Sequence, residues 1–143
     1  MSFDLLLQNG TIQIGADGDF ATVSDGAKLI QDVVKMITTP QGSDKYNMAL
    51  GSLVNERLIG QVLTPNTTTA LLQSSVQEAL ITLQKLQQAQ AQKQALSPAE
   101  TLVSLNSVNV SKDSNDPRQL NVLVNFTAGD GSLIPQVLTM RLA

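Results

Sequence analysis

Any chemistry in this sequence must be done with carboxylates and hydroxyls, because its 143 residues include no histidine and no cysteine. That removes the common neutral-pH base, most nucleophile–base pairs and the commonest transition-metal ligands. Two carboxylates about 5–9 Å apart, one with a raised pKa, can still hydrolyse a glycoside. The glutamates are Glu56, Glu78 and Glu100. Glu56 stands beside Arg57 and reads as half of a solvated ion pair; Glu78 reads as an exposed helix residue, and Glu100 precedes a strand. Asp17 and Asp19 in ADGDF offer two ligands of a calcium loop, but the third ligand and the terminal bidentate glutamate are missing. Gly15, Gly18 and Gly26 form no phosphate cradle, since no Lys-Ser/Thr follows at the needed spacing. The residues therefore indicate no catalytic, cofactor or metal site, and read as a non-catalytic assembly protein.

The elements that position these side chains centre on residues 64–96. Thr64 and Asn66 are candidate N-caps, and Pro65 suits a first helical turn. No Gly or Pro interrupts the run before Pro98. Leu72, Val76, Ala79, Leu83 and Leu86 recur at alternating steps of four and three, which keeps one apolar seam on one side of a helix. Leu71, Leu80 and Ile81 widen that seam. Thirty residues from Asn66 to Ala95 would span about 45 Å, whereas a compact chain of this length has a diameter of about 37 Å. The sequence thus predicts a helix that projects beyond its globule and offers its seam to a partner helix.

Around it the sequence predicts an α+β fold in a single domain over 1–143. Residues 1–26 form a hairpin and a loop, with Asn9-Gly10 turning the strands of Phe3–Ile14. Residues 27–60 form two short helices, the first with Leu29, Ile30, Val33, Val34 and Ile37 at helical spacing and ending at Pro40. The second takes Ser52 as candidate cap and Gly60 as C-cap, with Leu53, Val54, Leu58 and Ile59 as candidate core. Residues 100–143 alternate with period two and predict a three-stranded antiparallel meander. In its first strand Val103, Leu105, Val108 and Val110 are the apolar positions, with a slip near Asn106 and Ser107. Leu120, Val122, Val124 and Phe126 share one face of the second. Pro135 places the third at an edge or bulge.

Composition excludes several classes. With a net charge of −3 and 3% aromatic residues, the chain has no basic stripe for phosphates and few rings to stack on bases, so no nucleic-acid partner is expected. No apolar run approaches the length that spans a membrane, and MSFDLLLQNG lacks the basic start of a signal peptide. Charged residues are only 15%. A surface of neutral polar residues resists association less than a charged one, as suits a subunit of a larger body assembled in a cytoplasm.

The middle of the chain, GDFATVSDGAKLIQDVVKMITTPQGSDKYNMALGS, resembles the small baseplate wedge family of contractile phage tails, often labelled "lysozyme-like". The resemblance runs through Gly18-Asp19-Phe20, Ser24, Gly26, Leu29, Gln31-Asp32, Thr38-Thr39, Gly42-Ser43, Tyr46 and Leu50-Gly51-Ser52, with Gln31, Thr39, Gly42, Ser43 and Gly51 as the pattern residues. It covers roughly a quarter of the chain. The family's Glu-Pro-Arg triplet before the first meander strand reads Glu100-Thr101-Leu102 here, so only the glutamate remains. The resemblance implies a non-enzymatic virion component, built in the host cytoplasm, with six copies around the tail tube and hub. It implies that the long helix bundles with a larger wedge subunit. It also implies that the small sheet, at Val122, Val124 and Val137, accepts strands from the tail sheath protein and starts its polymerisation. Two other functions compete. One is a small cell-wall hydrolase using Glu56 or Glu78 with an aspartate, motivated by the family label; the other is a self-associating adaptor joined through the leucine seam.

Overall fold

The structure, a computed structural model, describes residues 2–58 and 65–141. Its C-terminal part is an antiparallel sheet of β5 (Leu102–Lys112), β6 (Gln119–Ala128) and β7 (Leu133–Arg141) in the order β5-β6-β7. Alternation along β6 produces two unlike faces. Leu120, Val122, Val124, Phe126 and Ala128 are buried, while on the other face Asn125 Nδ2 donates to Ser107 Oγ at 2.8 Å and Asn106 Nδ2 to Thr127 Oγ1 at 2.8 Å. The register of β5 shifts between Leu105 and Ser107, where the alternation slips. A second shift, between Leu102 and Ser104, buries Leu102 and turns Val103 outward, 55% exposed, contrary to the simple alternation.

Two helices close over the apolar face: α1 (Asp25–Thr38) and α3 (Pro65–Ala91), with the short α2 (Val54–Leu58) between them. Leu29, Val33, Met36 and Ile37 of α1 join Leu72, Val76, Ala79, Leu80 and Leu83 of α3 and the sheet residues in one core. Together these elements make an α+β fold. The leucine seam is therefore not a surface awaiting a foreign helix. Leu72, Val76, Ala79 and Leu83 are buried by the chain's own sheet and α1, and Leu86 is half-buried against the same core. Ile81, expected to widen the seam, faces outward instead.

The long helix does not outrun the strand it packs on. The eleven residues of β5 extend about 37 Å at ~3.4 Å each, and the 27 residues of α3 about 40 Å. Helix and strand match, and they run antiparallel: Gln73 Nε2 donates to Val108 O at 2.9 Å and Gln84 Nε2 to Val103 O at 2.6 Å. The helix ends at Ala91 rather than Ala95, and only its last turn lies past Gln87, its final bond to this strand. The predicted caps at Thr64 and Gly60, and Ile59, lie outside the described residues.

The N-terminal part is more elaborate than one hairpin. β2 (Leu7–Gln8) and β3 (Thr11–Ile12) pair across Asn9-Gly10, both at positive φ (53° and 76°) as a type I′ turn requires. β1 (Phe3–Leu5) pairs instead with β4 (Thr22–Ser24), a strand inside the stretch expected to be loop.

The connection from α1 to α2 folds tightly back. Ser52, expected as a helix cap, is buried; its Oγ donates to Ile37 O, its N–H to Thr39 O at 2.8 Å, and its carbonyl accepts from Gln41 N at 3.0 Å. Gly51, at φ +106°, lies where a Cβ would meet Thr39 O at 2.4 Å and Gln41 N at 3.0 Å. Replacement of Gly51 by alanine combines a left-handed backbone with a collision against main chain. We expect a loss of about 2–4 kcal/mol. Gly42 is also left-handed (φ +81°) but meets only Met48 Cε at 3.7 Å, so Gly42→Ala should cost about 1 kcal/mol. Urea midpoints of the two variants measure the difference.

Candidate interaction surface

The pattern residues of the middle segment prove to be joints. Gln31, on α1, clamps the N-terminal strands: its Oε1 accepts from Leu7 N at 2.9 Å and its Nε2 donates to Leu5 O at 2.8 Å. Thr39, Gly42, Ser43 and Gly51 all serve the α1–α2 turn. Ser43 Oγ donates to Pro40 O at 2.7 Å, and Thr39 O holds Ser52 N. A chain of charges beside Gln31 strengthens the same contact. Lys28 meets Asp32 at 2.7 Å, Asp32 meets Lys35 at 3.3 Å, and Lys35 meets Asp4 of β1. Burial pushes the Asp4 carboxyl up, but the Lys35 ammonium holds it below the usual range; burial likewise lowers Lys35, and Asp4 with Asp32 holds it above its usual value.

The two glutamates singled out for hydrolysis lie on different helices, Glu56 on α2 and Glu78 on α3. Glu56 is exposed on α2 and is not the partner of Arg57. Arg57 crosses to α3, where Nη2 meets Glu78 Oε2 at 3.1 Å and Nη1 donates to Ser74 and Ser75 hydroxyls at 3.2 and 3.1 Å. In the acidic loop, Asp17 Oδ1 accepts from Asp19 N at 3.3 Å and Asp19 Oδ1 from Phe20 N at 2.8 Å, so both shape the turn. Among the described residues no group of three such side chains could hold a metal ion.

Glu100 is 1% exposed and is a structural hub that sequence reasoning missed. It ends a single 3₁₀ turn, Pro98–Glu100. Its Oε1 accepts from Ser2 N and its Oε2 from Ser97 N, both at 2.8 Å. Ser97 Oγ donates to Asp25 Oδ1 at 2.8 Å, and Gln87 of α3 donates to Glu100 O at 2.9 Å and accepts from Leu102 N at 2.8 Å. Glu100, with Ser97 and Gln87 beside it, thus ties the N-terminus, α1, α3 and β5 together. Two signals pointed to it: the Ser97-Pro98-Ala99-Glu100 spacing, which resembles a capping sequence, and its place as the one retained residue of the Glu-Pro-Arg triplet.

The sheet has two edges, and they differ. Along β5, Gln73, Gln84 and Gln87 bond to the strand's main chain. No strand among the described residues pairs with the outer side of β7. That edge opens onto a groove of about 730 Å³ whose other wall is the N-terminal hairpin and α1, including Leu6, Leu7, Ile30 and Val34. Val137 lines it and is 58% exposed, and Pro135 sits on the same strand, as an edge permits. Val122 and Val124, expected to face a sheath, belong to the central strand. They are buried in the core, and both sides of β6 are already paired.

No protein-family model matches the chain, and no curated protein sequence does. Its fold is similar to that of a Geobacter sulfurreducens crystal structure, a protein provisionally described as a tail lysozyme. The TM-score is 0.60 at 18% identity over 80% of this chain and 88% of that one. Among the described residues no helix is long and apolar enough to cross a membrane.

Burial pushes the Glu100 carboxyl up, yet the N–H groups of Ser97 and Ser2 outweigh it and hold the pKa below the usual glutamate value of 4.5. A lowered folded pKa contributes stability that is full above the unfolded value and is lost as pH falls through the folded one. Urea midpoints measured from neutral pH downward should therefore fall below the ordinary glutamate range. In Glu100→Gln that dependence should be shallower, and stability at pH 7 lower by about 2–3 kcal/mol, because a charged acceptor of two buried N–H groups is lost.

Proposed function

We propose that this chain is a structural, non-enzymatic subunit of a contractile phage tail baseplate, and that β7 accepts a strand of the tail sheath protein to start sheath assembly. The observation that carries the reading is the edge of β7, with which no strand among the described residues pairs and which borders a groove of about 730 Å³; an edge of that kind can take an added strand. The fold shared with a protein described as a tail lysozyme supports it. So does the concentration of the pattern residues in the joints that hold α1 against the hairpin and α2. In this reading six copies surround the tail tube and hub as part of the virion. The carboxylates support the non-enzymatic part: Glu78 is tied to Arg57, and Glu100 is enclosed and held ionised.

The contact with a larger wedge subunit moves in this reading. It uses the outer side of α3 at Ile81, 44% exposed, with the final turn beyond Gln87, because the inner side is spent on the core.

Co-expression with neighbouring wedge and sheath gene products tests both contacts. Val137→Pro should leave wedge formation intact and abolish sheath polymerisation; normal polymerisation by this variant sinks the edge assignment. Ile81→Asp should weaken wedge co-assembly about tenfold, roughly 1.4 kcal/mol, with the fold retained. Leu83→Asp should instead unfold the chain, since an unpaired buried charge costs about 3–5 kcal/mol. Purified wild type should release no fragments from cell walls.

A further inference from the structure

The N-terminal strands carry a second surface, which meets the β7 groove only at Leu7. Their centre is a ring of three main-chain hydrogen bonds. Leu6 N donates to Ala21 O at 2.8 Å, Ala21 N to Gln13 O at 2.9 Å, and Gln13 N to Leu6 O at 3.0 Å. Three short pairings radiate from it: β1 with β4, β2 with β3, and the Ile14–Phe20 bridge. Side chains alternate across each arm. Leu6, Gln13 and Ala21 therefore share the side turned to α1, and their neighbours Leu5, Leu7, Ile12, Ile14, Phe20 and Thr22 share the other.

That other side faces solvent. Ile14 is 68% exposed, Phe20 59% and Ile12 45%, and Phe3, two residues before Leu5 on the same face, 72%. The usual half-buried sheet has its apolar face inward; here the arrangement is reversed, and two of the chain's three phenylalanines lie on the outside. With side chains of roughly 150–200 Å² each, the exposed apolar area is on the order of 500 Å², at the upper end of what monomers leave uncovered.

We propose that in the free chain, before it enters a ring of six, a second copy covers this face, giving a symmetric dimer through the outer side of the N-terminal strands. The face carries no charged side chain, so two copies meet without like charges opposed at its centre. The acidic pair Asp17 and Asp19 lies in the loop beside it and not on it. Face to face, two such patches remove about 1,000 Å² of surface from water, which is the lower bound for a specific interface. A surface defined by strands on both sides also packs well as sheet on sheet. The dimer is accordingly weak, in the micromolar range.

Sedimentation velocity on the full chain between about 1 and 200 µM reads the interface directly over the range where its occupancy changes. The expected result is conversion from monomer to dimer, unchanged or strengthened by added salt, which screens the acidic loops. Ile14→Thr and Phe20→Ser, both at exposed positions, should keep the circular dichroism of the wild type and raise the dissociation constant at least tenfold. A monomer at every concentration, a dimer weakened by salt, or a dimer indifferent to these substitutions overturns the proposal. Co-assembly with wedge and sheath proteins reads β7 and α3 instead, so failure of one reading is distinguishable from failure of the other.

Discussion

A three-stranded sheet has two edges with unpaired main-chain groups, and in this protein α3 occupies the side of one of them. Its apolar stripe rests on the core while Gln73, Gln84 and Gln87 reach the main chain of β5. Neutral amides suit that task, since each can donate and accept at once; Gln87 does both, to Glu100 O and from Leu102 N. The glutamine-rich helix is thus a fitted cover for a strand. What it leaves uncovered is β7, with its proline, its exposed Val137 and the groove beside it.

Glu100 fixes how that cover is seated. A buried carboxylate is costly unless hydrogen-bond donors meet it. The Ser2 and Ser97 N–H groups supply two at 2.8 Å. Because Ser97 also holds Asp25, and Gln87 holds the Glu100 carbonyl, the start of α1, the end of α3 and the start of β5 share one polar joint inside an otherwise apolar body. Charge–charge contacts at Lys35 and Asp4 and the amide clamp of Gln31 do the same for the N-terminal strands. These joints are made of polar groups at the ends of elements, and they set orientation where the core itself is non-directional.

The similarity to a protein described as a tail lysozyme lies in the fold. The residues carrying the resemblance hold loops in place: Gly51 admits the main chain of Thr39, Ser43 closes the turn, and Gln31 seats the strands. A scaffold kept constant by such joints can expose different edges and faces to different neighbours.

The sequence by itself determined the types and order of the larger elements. Period-two alternation over 102–141, helical spacing over 27–38 and 66–91, and Asn9-Gly10 between apolar strands each follow from local geometry, and all appear in the structure. It also determined the absence of histidine and cysteine chemistry, because that is a matter of composition. Which side of α3 meets solvent was decided only by the tertiary structure. An apolar stripe is the same stripe whether it packs on its own sheet or on a foreign helix, and comparing the helix with a sphere ignored strands nearly as long as the helix itself. The inverted N-terminal face was hidden for a related reason: alternation shows that two faces differ, but the ring of bonds among Leu6, Gln13 and Ala21, far apart in sequence, sets which one turns outward. Glu100 was visible as a glutamate and invisible as a hub, since its partners at Ser2 and Gln87 come together only when the chain closes.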